Sequence, residues 1–428
     1  MEVIRALHKN DYSLGTHEFL LSGSVGSAKS ILLAHAVISH CLRNAKSRVL
    51  VGRYSLPDLR LTIWRKILEH LEGLDLDYNL NLSRLEIRFP NGSEIICRSW
   101  ADGNYTRMRS LELSAAVIEE LTEQDGDEGL EIYNEIKMRV GRLPYIKENW
   151  VMSATNPGAP SHWAYKYFIQ AESPTRHVYY SVTTDNPYLP PQYIDQLKRD
   201  LDPKLALRMI HGHWIEISGE VVYHAYESPD QFLCKPYTVN PAHPIILSWD
   251  FNIGDGKPMS MCCMQYIDDT FHVFDEVVID GARTADTIDE LDHRGLLKAD
   301  WTYQICGDAA GKHRDTRGRR SDWDIILKEL QNRNLKVTFL VPPSNPGVRN
   351  RHNRVNAYCK NAEGAVRLFV YEKARTVDEG LRLVKLKPGA NYIEDDSKRY
   401  QHCTTALGYA VYMLSMMASR PAQSTTLL

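Results

Sequence analysis

The run Gly23-Ser24-Val25-Gly26-Ser27-Ala28-Lys29-Ser30 narrows what this chain can fold into more than any other feature. It follows an apolar stretch with strand character, Glu18 to Ser22, and opens a helix-length amphipathic stretch. A strand, a glycine-containing turn and a helix in that order aim backbone N–H groups of the turn and helix N-terminus at one point, where they cradle an anion. The spacing from Gly23 to Lys29 is that of a P-loop. In such a loop Lys29 reaches the β- and γ-phosphates of ATP and the Ser30 hydroxyl binds Mg²⁺, while Gly23, Ser24, Gly26, Ser27 and Ala28 line the phosphates. Ala28 stands where a glycine is usual before the lysine, which is tolerable unless the backbone needs positive φ there. A plain Gly/Ser turn is the competing reading, and it requires strand, spacing, lysine and serine to coincide by accident.

Two further strand ends fit the same chemistry. Ala115-Ala116-Val117-Ile118 delivers Glu119 and Glu120 at its tip, a Walker B pattern in which the first acid joins the Mg²⁺ shell and Glu120 acts as general base toward the attacking water. Most such strand ends carry Asp first, and Glu119 is longer by one methylene. The stretch Met152-Ser153-Ala154-Thr155-Asn156-Pro157-Gly158 places short hydroxyls and an amide at another buried strand end, where Thr155 would sense the terminal phosphate. Taken alone, either stretch reads as a strand ending in solvated polar groups.

A chain of 428 residues, 43% hydrophobic and 25% charged, can bury two sizeable cores. From His17 to about Thr184 short apolar runs alternate with amphipathic ones, the pattern of an α/β fold built on an open parallel sheet. Candidate strands are Glu18 to Ser22, Arg48 to Gly52, Ser114 to Ile118, Asn149 to Ala154 and His177 to Val182, with a β-hairpin over Leu85 to Pro90 and Glu94 to Arg98. A stretch rich in proline and turn residues, Tyr226 to Pro244, reads as a linker. Strands then follow at Ile245 to Phe251, Met259 to Tyr266, Phe271 to Ile279, Tyr303 to Gly307 and Val337 to Val341, with helices at Thr284 to His293 and Asp322 to Asn332. An antiparallel meander followed by alternating helix and strand is the order of an RNase H-like fold. Its strand ends offer carboxylates: Asp250, Asp308 and, as a possible extra ligand, Glu276. Two-metal cleavage of a phosphodiester needs several such acids converging on hard cations, Mg²⁺ or Mn²⁺.

The formal net charge of −3 excludes a uniformly basic nucleic-acid coat, so any DNA contact must be local. Candidates are Lys312, His313, Arg314, Arg317, Arg319 and Arg320 after Asp308, and Arg349, Arg351 and Arg354. The eight cysteines form no CxxC pair and read as reduced, buried thiols. There is no signal-peptide pattern and no apolar run of membrane-spanning length, so the expectation is a protein without membrane contact.

The order P-loop, Glu-Glu strand, Ser153-Ala154-Thr155-Asn156-Pro157, then Arg208-Met209-Ile210-His211-Gly212-His213-Trp214 and Gly219-Glu220-Val221-Val222-Tyr223, resembles the large terminase subunits of tailed bacteriophages. That resemblance implies a RecA-like P-loop ATPase over residues 1–230, with the linker from about 225. It further implies an RNase H-like nuclease over 240–420, and residues 421–428 read as a disordered tail. It also implies an ATP-driven motor that moves double-stranded DNA into a procapsid and cuts concatemers. Implied partners are a small terminase subunit, a portal protein and further copies in a ring, in the host cytoplasm. In such a ring a neighbour's arginine completes the ATP site; Arg139 and Arg142 are candidates, with Arg53, Arg107 and Arg109 competing.

Terminases commonly end in a helix with His-x-x-Asp-Ala-Leu-x-Tyr. Here the text is His402-Cys403-Thr404-Thr405-Ala406-Leu407-Gly408-Tyr409, with Thr405 in the aspartate's place. Asp396, or Asp395, is then expected to supply the third acid of the metal site. Two readings compete with the motor-nuclease: a repair helicase-nuclease, whose Asp-Glu-x-His motif and second RecA-like domain are absent, and a packaging ATPase whose second domain grips DNA or the portal without cutting.

Overall fold

The computed structural model describes residues 2–101, 108–124, 126–216, 221–252, 257–313, 320–387 and 392–418. The chain divides into two compact units, one of Met1–Ile194 with Lys204–Ile217 and one of Asp195–Pro203 with Ser218–Leu428.

The first unit is an eight-stranded sheet. Its strands are β1 (His17–Gly23), β2 (Arg48–Arg53), β3 (Asn79–Asn81), β4 (Glu86–Arg88), β5 (Glu94–Ser99), β6 (Ala115–Glu119), β7 (Trp150–Thr155) and β8 (Arg176–Ser181), in the order β3-β4-β5-β2-β6-β7-β1-β8. From β5 to β8 all neighbours are parallel, and β3-β4-β5 is an antiparallel edge. Parallel strands covered on both faces read as unbroken apolar runs, and alternate residues face opposite layers. Phe19 and Leu21, Val49 and Val51, and Trp150 and Met152 enter one core with helices Lys29–Arg43 and Arg65–Glu72. Leu20, Leu50, Ala116 and Val151 enter the opposite core with Ile132, Tyr133 and Ile136 of helix Gly126–Lys137.

The second unit carries a seven-stranded sheet. Its strands are β9 (Phe232–Leu233), β10 (Ile245–Asp250), β11 (Met259–Ile267), β12 (Thr270–Ile279), β13 (Thr302–Gly307), β14 (Lys336–Phe339) and β15 (Leu368–Tyr371), in the order β14-β13-β10-β11-β12-β15-β9. β10, β11 and β12 form the antiparallel meander, whereas β13 and β14 run parallel to β10. Helices Thr284–His293 and Asp322–Asn332 pack on one face. On the other, Cys403, Ala406, Leu407, Ala410 and Val411 of the long helix Arg399–Ala418 are buried with Ile246, Cys262 and Phe271 of the sheet.

The proline-rich stretch read as a linker belongs to this second unit. Ala225 N–H donates to Asn356 Oδ1 at 3.1 Å, Tyr226 Oη to Asp378 Oδ1 at 2.8 Å, and β9 pairs with β15 as the sheet's edge. The boundary between the units therefore falls at Ile217/Ser218, ahead of the stretch from 225. Val222 and Tyr223 are buried without joining a sheet, and Gly219 and Glu220 lie outside the described residues. So does the tail at 421–428. Seven cysteines are buried free thiols and Cys234 is exposed. No helix among the described residues is long and apolar enough to cross a membrane.

Candidate functional site

In the first unit the parallel order puts the ends of β1, β6 and β7 side by side, and five side chains from these ends meet: Lys29, Ser30, Glu119, Glu120 and Asn156. Ser30 Oγ donates to Glu119 Oε1 at 2.6 Å. The other oxygen, Oε2, accepts from Thr62 Oγ1 and from Arg53 Nη1. Arg53 is also ion-paired with Glu123. The extra methylene of Glu119 is thus held by a clamp from the end of β2 and from Arg60–Trp64, a π-helical turn of the kind that recurs at functional sites.

Lys29 is buried and its Nζ donates to Gly23 O and Ser24 O, both at 2.8 Å, and to Asn156 Oδ1 at 3.0 Å. Burial lowers its pKa to about 8, against the pull of Glu120 and Glu119. Asn156 Nδ2 faces Glu120, 3.4 Å from Oε1. Burial raises the Glu120 carboxyl above the ordinary range, with Lys29 and Arg53 opposing. Glu120 itself sits in the left-handed region at φ 52°. A single amide therefore links the P-loop lysine to the second acid of the Glu-Glu pair.

Thr155, expected to sense the terminal phosphate, pairs with Thr122 Oγ1 at 2.6 Å, joining the end of β7 to the turn after Glu120. The neighbouring Asn156 makes the bridge because its amide oxygen accepts from Lys29 while its NH₂ group faces Glu120.

The loop itself is braced from 181–214. Ser181 Oγ donates to Ser27 Oγ at 3.0 Å, Thr183 Oγ1 to Val25 O at 2.8 Å, and Asn186 Nδ2 to Gly26 O at 2.7 Å. Ser24 Oγ pairs with Thr183 Oγ1 at 2.9 Å, and Trp214 of the Gly-x-Trp segment donates to Ser22 Oγ at 2.8 Å. At Gly23 a Cβ would collide with Ser181 Oγ and Ser27 Oγ, so only glycine fits. Gly26 has φ 75°, and Ala28 has φ 64° and ψ 20°. The condition under which alanine is unfavourable is therefore met at Ala28.

Of the arginines considered for a neighbour's site, Arg53 lies within this one. Arg139 is held by Glu135 and by Arg109 O, Arg142 donates to Met138 O at 3.0 Å, Arg109 is 3.7 Å from Glu135, and Arg107 lies outside the described residues.

In the second unit β10 and β13 run parallel with Trp249 opposite Gly307, so Asp250 and Asp308 leave adjacent strand tips. Asp308 N–H donates to Trp249 O at 3.0 Å. Asp250 is buried; burial raises its pKa, His402 and Asn252 lower it, and Asp308 adds to the rise. His402 Nδ1 lies 2.9 Å from Asp250 Oδ2, and Asn252 Nδ2 donates to the same oxygen at 2.7 Å. Asp308 Oδ1 accepts from Asn345 Nδ2 and Ala310 N–H, each at 2.7 Å. His402 was legible only as the first letter of the closing helix motif.

The remaining expected acids are elsewhere. Asp396 is paired with Lys257 at 2.5 Å and Lys387 at 2.6 Å, which hold its carboxyl far below the usual range, and no contact among the described residues joins it to Asp250 or Asp308. Asp395 accepts from Ser397 N–H at 3.1 Å. Glu276 accepts from Thr376 and Val377 N–H, both at 2.8 Å, capping helix Arg375–Leu383. Thr405 is buried and accepts from Gln401 Nε2 at 2.8 Å. Among the described residues no group of three His, Cys, Asp or Glu converges as a metal site. Asp250 and Asp308, leaving neighbouring strand tips, are the hard oxygen donors present there.

The basic residues divide likewise. Arg351, counted as a phosphate contact, is only 3% exposed, ion-paired with Glu394 and 4.9 Å over the Tyr409 ring. Arg349 stacks on Tyr392, and Arg354 is 3.5 Å from Asp200. His313 and Arg320 are exposed, Lys312 donates to Pro342 O at 2.6 Å, and Arg314, Arg317 and Arg319 lie outside the described residues.

A family model described as phage terminase large subunit matches residues 16–213, and no curated protein matches the chain. In fold the chain is similar to the large terminase of a thermophilic bacteriophage, with TM-score 0.66 at 12% identity over 97% of this chain and 98% of that one. The same terminase in complex with ADP gives 0.65 at 12% identity over 98% of each chain, and in complex with ATP-γ-S 0.63 at 12% over 97% and 98%. At this identity the likeness to the solved structures is one of fold; the match to the phage terminase large-subunit family is carried by residues 16–213.

Proposed function

We propose that the protein is the ATP-hydrolysing motor of viral DNA packaging, with a RecA-like P-loop unit and an RNase H-like second unit. The observation that carries the ATPase half is the bridge from Lys29 through Asn156 to Glu120, beside the Ser30–Glu119 bond. Bound Mg²⁺ would draw on the Ser30 hydroxyl and the Glu119 carboxylate, both hard oxygen donors, and would neutralise charge developing on the phosphates. Lys29 would exchange the carbonyls of Gly23 and Ser24 for the β- and γ-phosphates. Glu120 would orient the attacking water and accept its proton, its raised pKa bringing it nearer to that task. Loss of the terminal phosphate would free Asn156 to return to Lys29, giving the turn after Glu120 two arrangements for one ligand difference.

For the second unit, the β10-β11-β12 meander flanked by β13 and β14 supports the RNase H-like reading. The ligand set favours a domain that holds double-stranded DNA or docks the portal over one that cuts, because Thr405 occupies the third acid's place and Asp396 is tied to two lysines. Partners on this reading are double-stranded DNA, the small subunit, the portal and further copies in a ring.

ATP turnover lost in Lys29→Ala and Glu120→Ala supports the motor; turnover equal to the parent in both variants sinks the site. For the second unit, supercoiled plasmid with Mn²⁺ or Mg²⁺ should stay intact with the parent and be nicked by Thr405→Asp. Metal-dependent nicking by the parent, lost in Asp250→Ala, would establish a working nuclease instead.

A further inference from the structure

Sheet order fixes the direction in which a nucleotide must lie. Glu119, Glu120 and Asn156 stand at the ends of β6 and β7, on one side of the P-loop, and Lys29 leans toward them through Asn156. The terminal phosphate belongs on that side. The nucleoside then leaves the loop on the other side, where β8 borders β1 with Ser181 opposite Gly23. What the base meets is the segment that follows β8.

That segment is built onto the loop. Asn186 is its pivot: Nδ2 donates to Gly26 O at 2.7 Å, and Oδ1 accepts from Tyr188 N–H at 3.1 Å. A Cβ at Gly26 would come 3.2 Å from Leu189 Cδ1 and 3.3 Å from Tyr193 Cε1, so those side chains lie directly against the loop. Between them and Asn186 in sequence Tyr188 projects outward, 92% exposed, the most exposed large apolar side chain among the described residues. An aromatic ring held in solvent by a turn pinned to a phosphate loop has no packing role. The polar side chains of Thr183, Asp185 and Asn186 are engaged with backbone groups of the loop and of the segment itself, which leaves ring faces as the recognition element.

We propose that Tyr188 is the platform on which the base of the bound nucleoside triphosphate stacks, with Leu189 and Tyr193 closing the space between base and loop. The inference rests on the nucleotide-site reading above. Stacking reads the π-face rather than base edges, so adenine and guanine nucleotides should depend on Tyr188 alike.

The test is calorimetric binding to the full chain with Mg²⁺ of a non-hydrolysable ATP analogue, its GTP counterpart and inorganic tripolyphosphate. Tyr188→Ala should weaken both analogues roughly 5- to 150-fold, the range of one aromatic–base stack, leave tripolyphosphate unchanged, and be restored by Tyr188→Phe. Unchanged affinity for the analogues in Tyr188→Ala overturns the proposal. So does an equal loss for tripolyphosphate, which would mean that the loop itself had been disturbed. If the parent binds none of the three probes, the nucleotide site fails and the platform with it; if it binds tripolyphosphate and both analogues but is indifferent to Tyr188, only the platform fails.

Discussion

Ala28 and Lys29 show how much of the nucleotide site turns on single residues. Ala28 holds φ 64°, a conformation that an L-residue adopts at a cost of roughly 1 to 2 kcal/mol and glycine adopts freely. Ala28→Gly should therefore raise the urea midpoint by the equivalent of about 0.5–1 kcal/mol, after the added chain entropy of glycine is subtracted. A midpoint unchanged or lowered would show that the strain is not there. Lys29 makes a prediction in pH. Its folded pKa is lowered from 10.5 to about 8, so between those values the unfolded chain binds more protons and stability rises with pH. The penalty of burying its charge is present in full below pH 8 and fades as pH climbs toward 10.5. The stability of the parent relative to Lys29→Met should improve by up to about 3 kcal/mol between pH 7 and 10.5; a difference flat with pH would contradict it.

At the scale of elements, the acids separate by what their neighbours ask of them. Glu276 looks like a metal ligand in sequence because it lies in a strand near other acids. Tertiary packing brings it under the N-terminus of helix Arg375–Leu383, where two unpaired N–H groups need an acceptor. Glu276→Ala should destabilise the second unit by about 2 kcal/mol through the lost cap, with or without divalent metal. Stability that responds to Mn²⁺ in the parent and not in the variant would return Glu276 to the metal site. Helices Val348–Cys359 and Arg375–Leu383 escaped the sequence reading for a related reason. The first buries Arg351, His352 and Asn356, polar residues that periodicity assigns to solvent and that Glu394, Tyr392 and Val222 satisfy from distant parts of the chain. Strands covered on both faces, such as β1, β6 and β7, were legible because every residue in them is apolar or small apart from their polar ends.

For the whole molecule, the division into units is not a single cut. Residues 195–203 precede the last segment of the first unit yet belong to the second. Ala362 N–H donates to Lys198 O and Leu201 O, Asn361 and Arg367 donate to Arg199 O, and His224 pairs with Asp202. A fragment of residues 218–428 should thus unfold at a lower urea concentration than one of 195–428, by at least about 2 kcal/mol for the hydrogen bonds lost. Equal midpoints by tryptophan fluorescence would show that the segment contributes nothing.

The sequence by itself determined the α/β character of both halves, the glycine turn from Gly23 into the helix at Lys29, the Glu119-Glu120 tip and the two aspartates at strand ends, though not that those strands are neighbours. Each of these follows from local pattern: apolar runs of strand length, a glycine turn before a helix, acids where an apolar run stops. Tertiary structure alone decided that Asn156 and not Thr155 faces Lys29, that Asp396 is neutralised by Lys257 and Lys387, and that Arg351 is buried against Glu394. It also decided that the stretch from 225 is an edge of the second sheet. Those outcomes depend on partners as many as 139 residues away in the chain, as for Lys257 and Asp396, and the free energy of a polar side chain is set by the partner it finds once solvent is excluded.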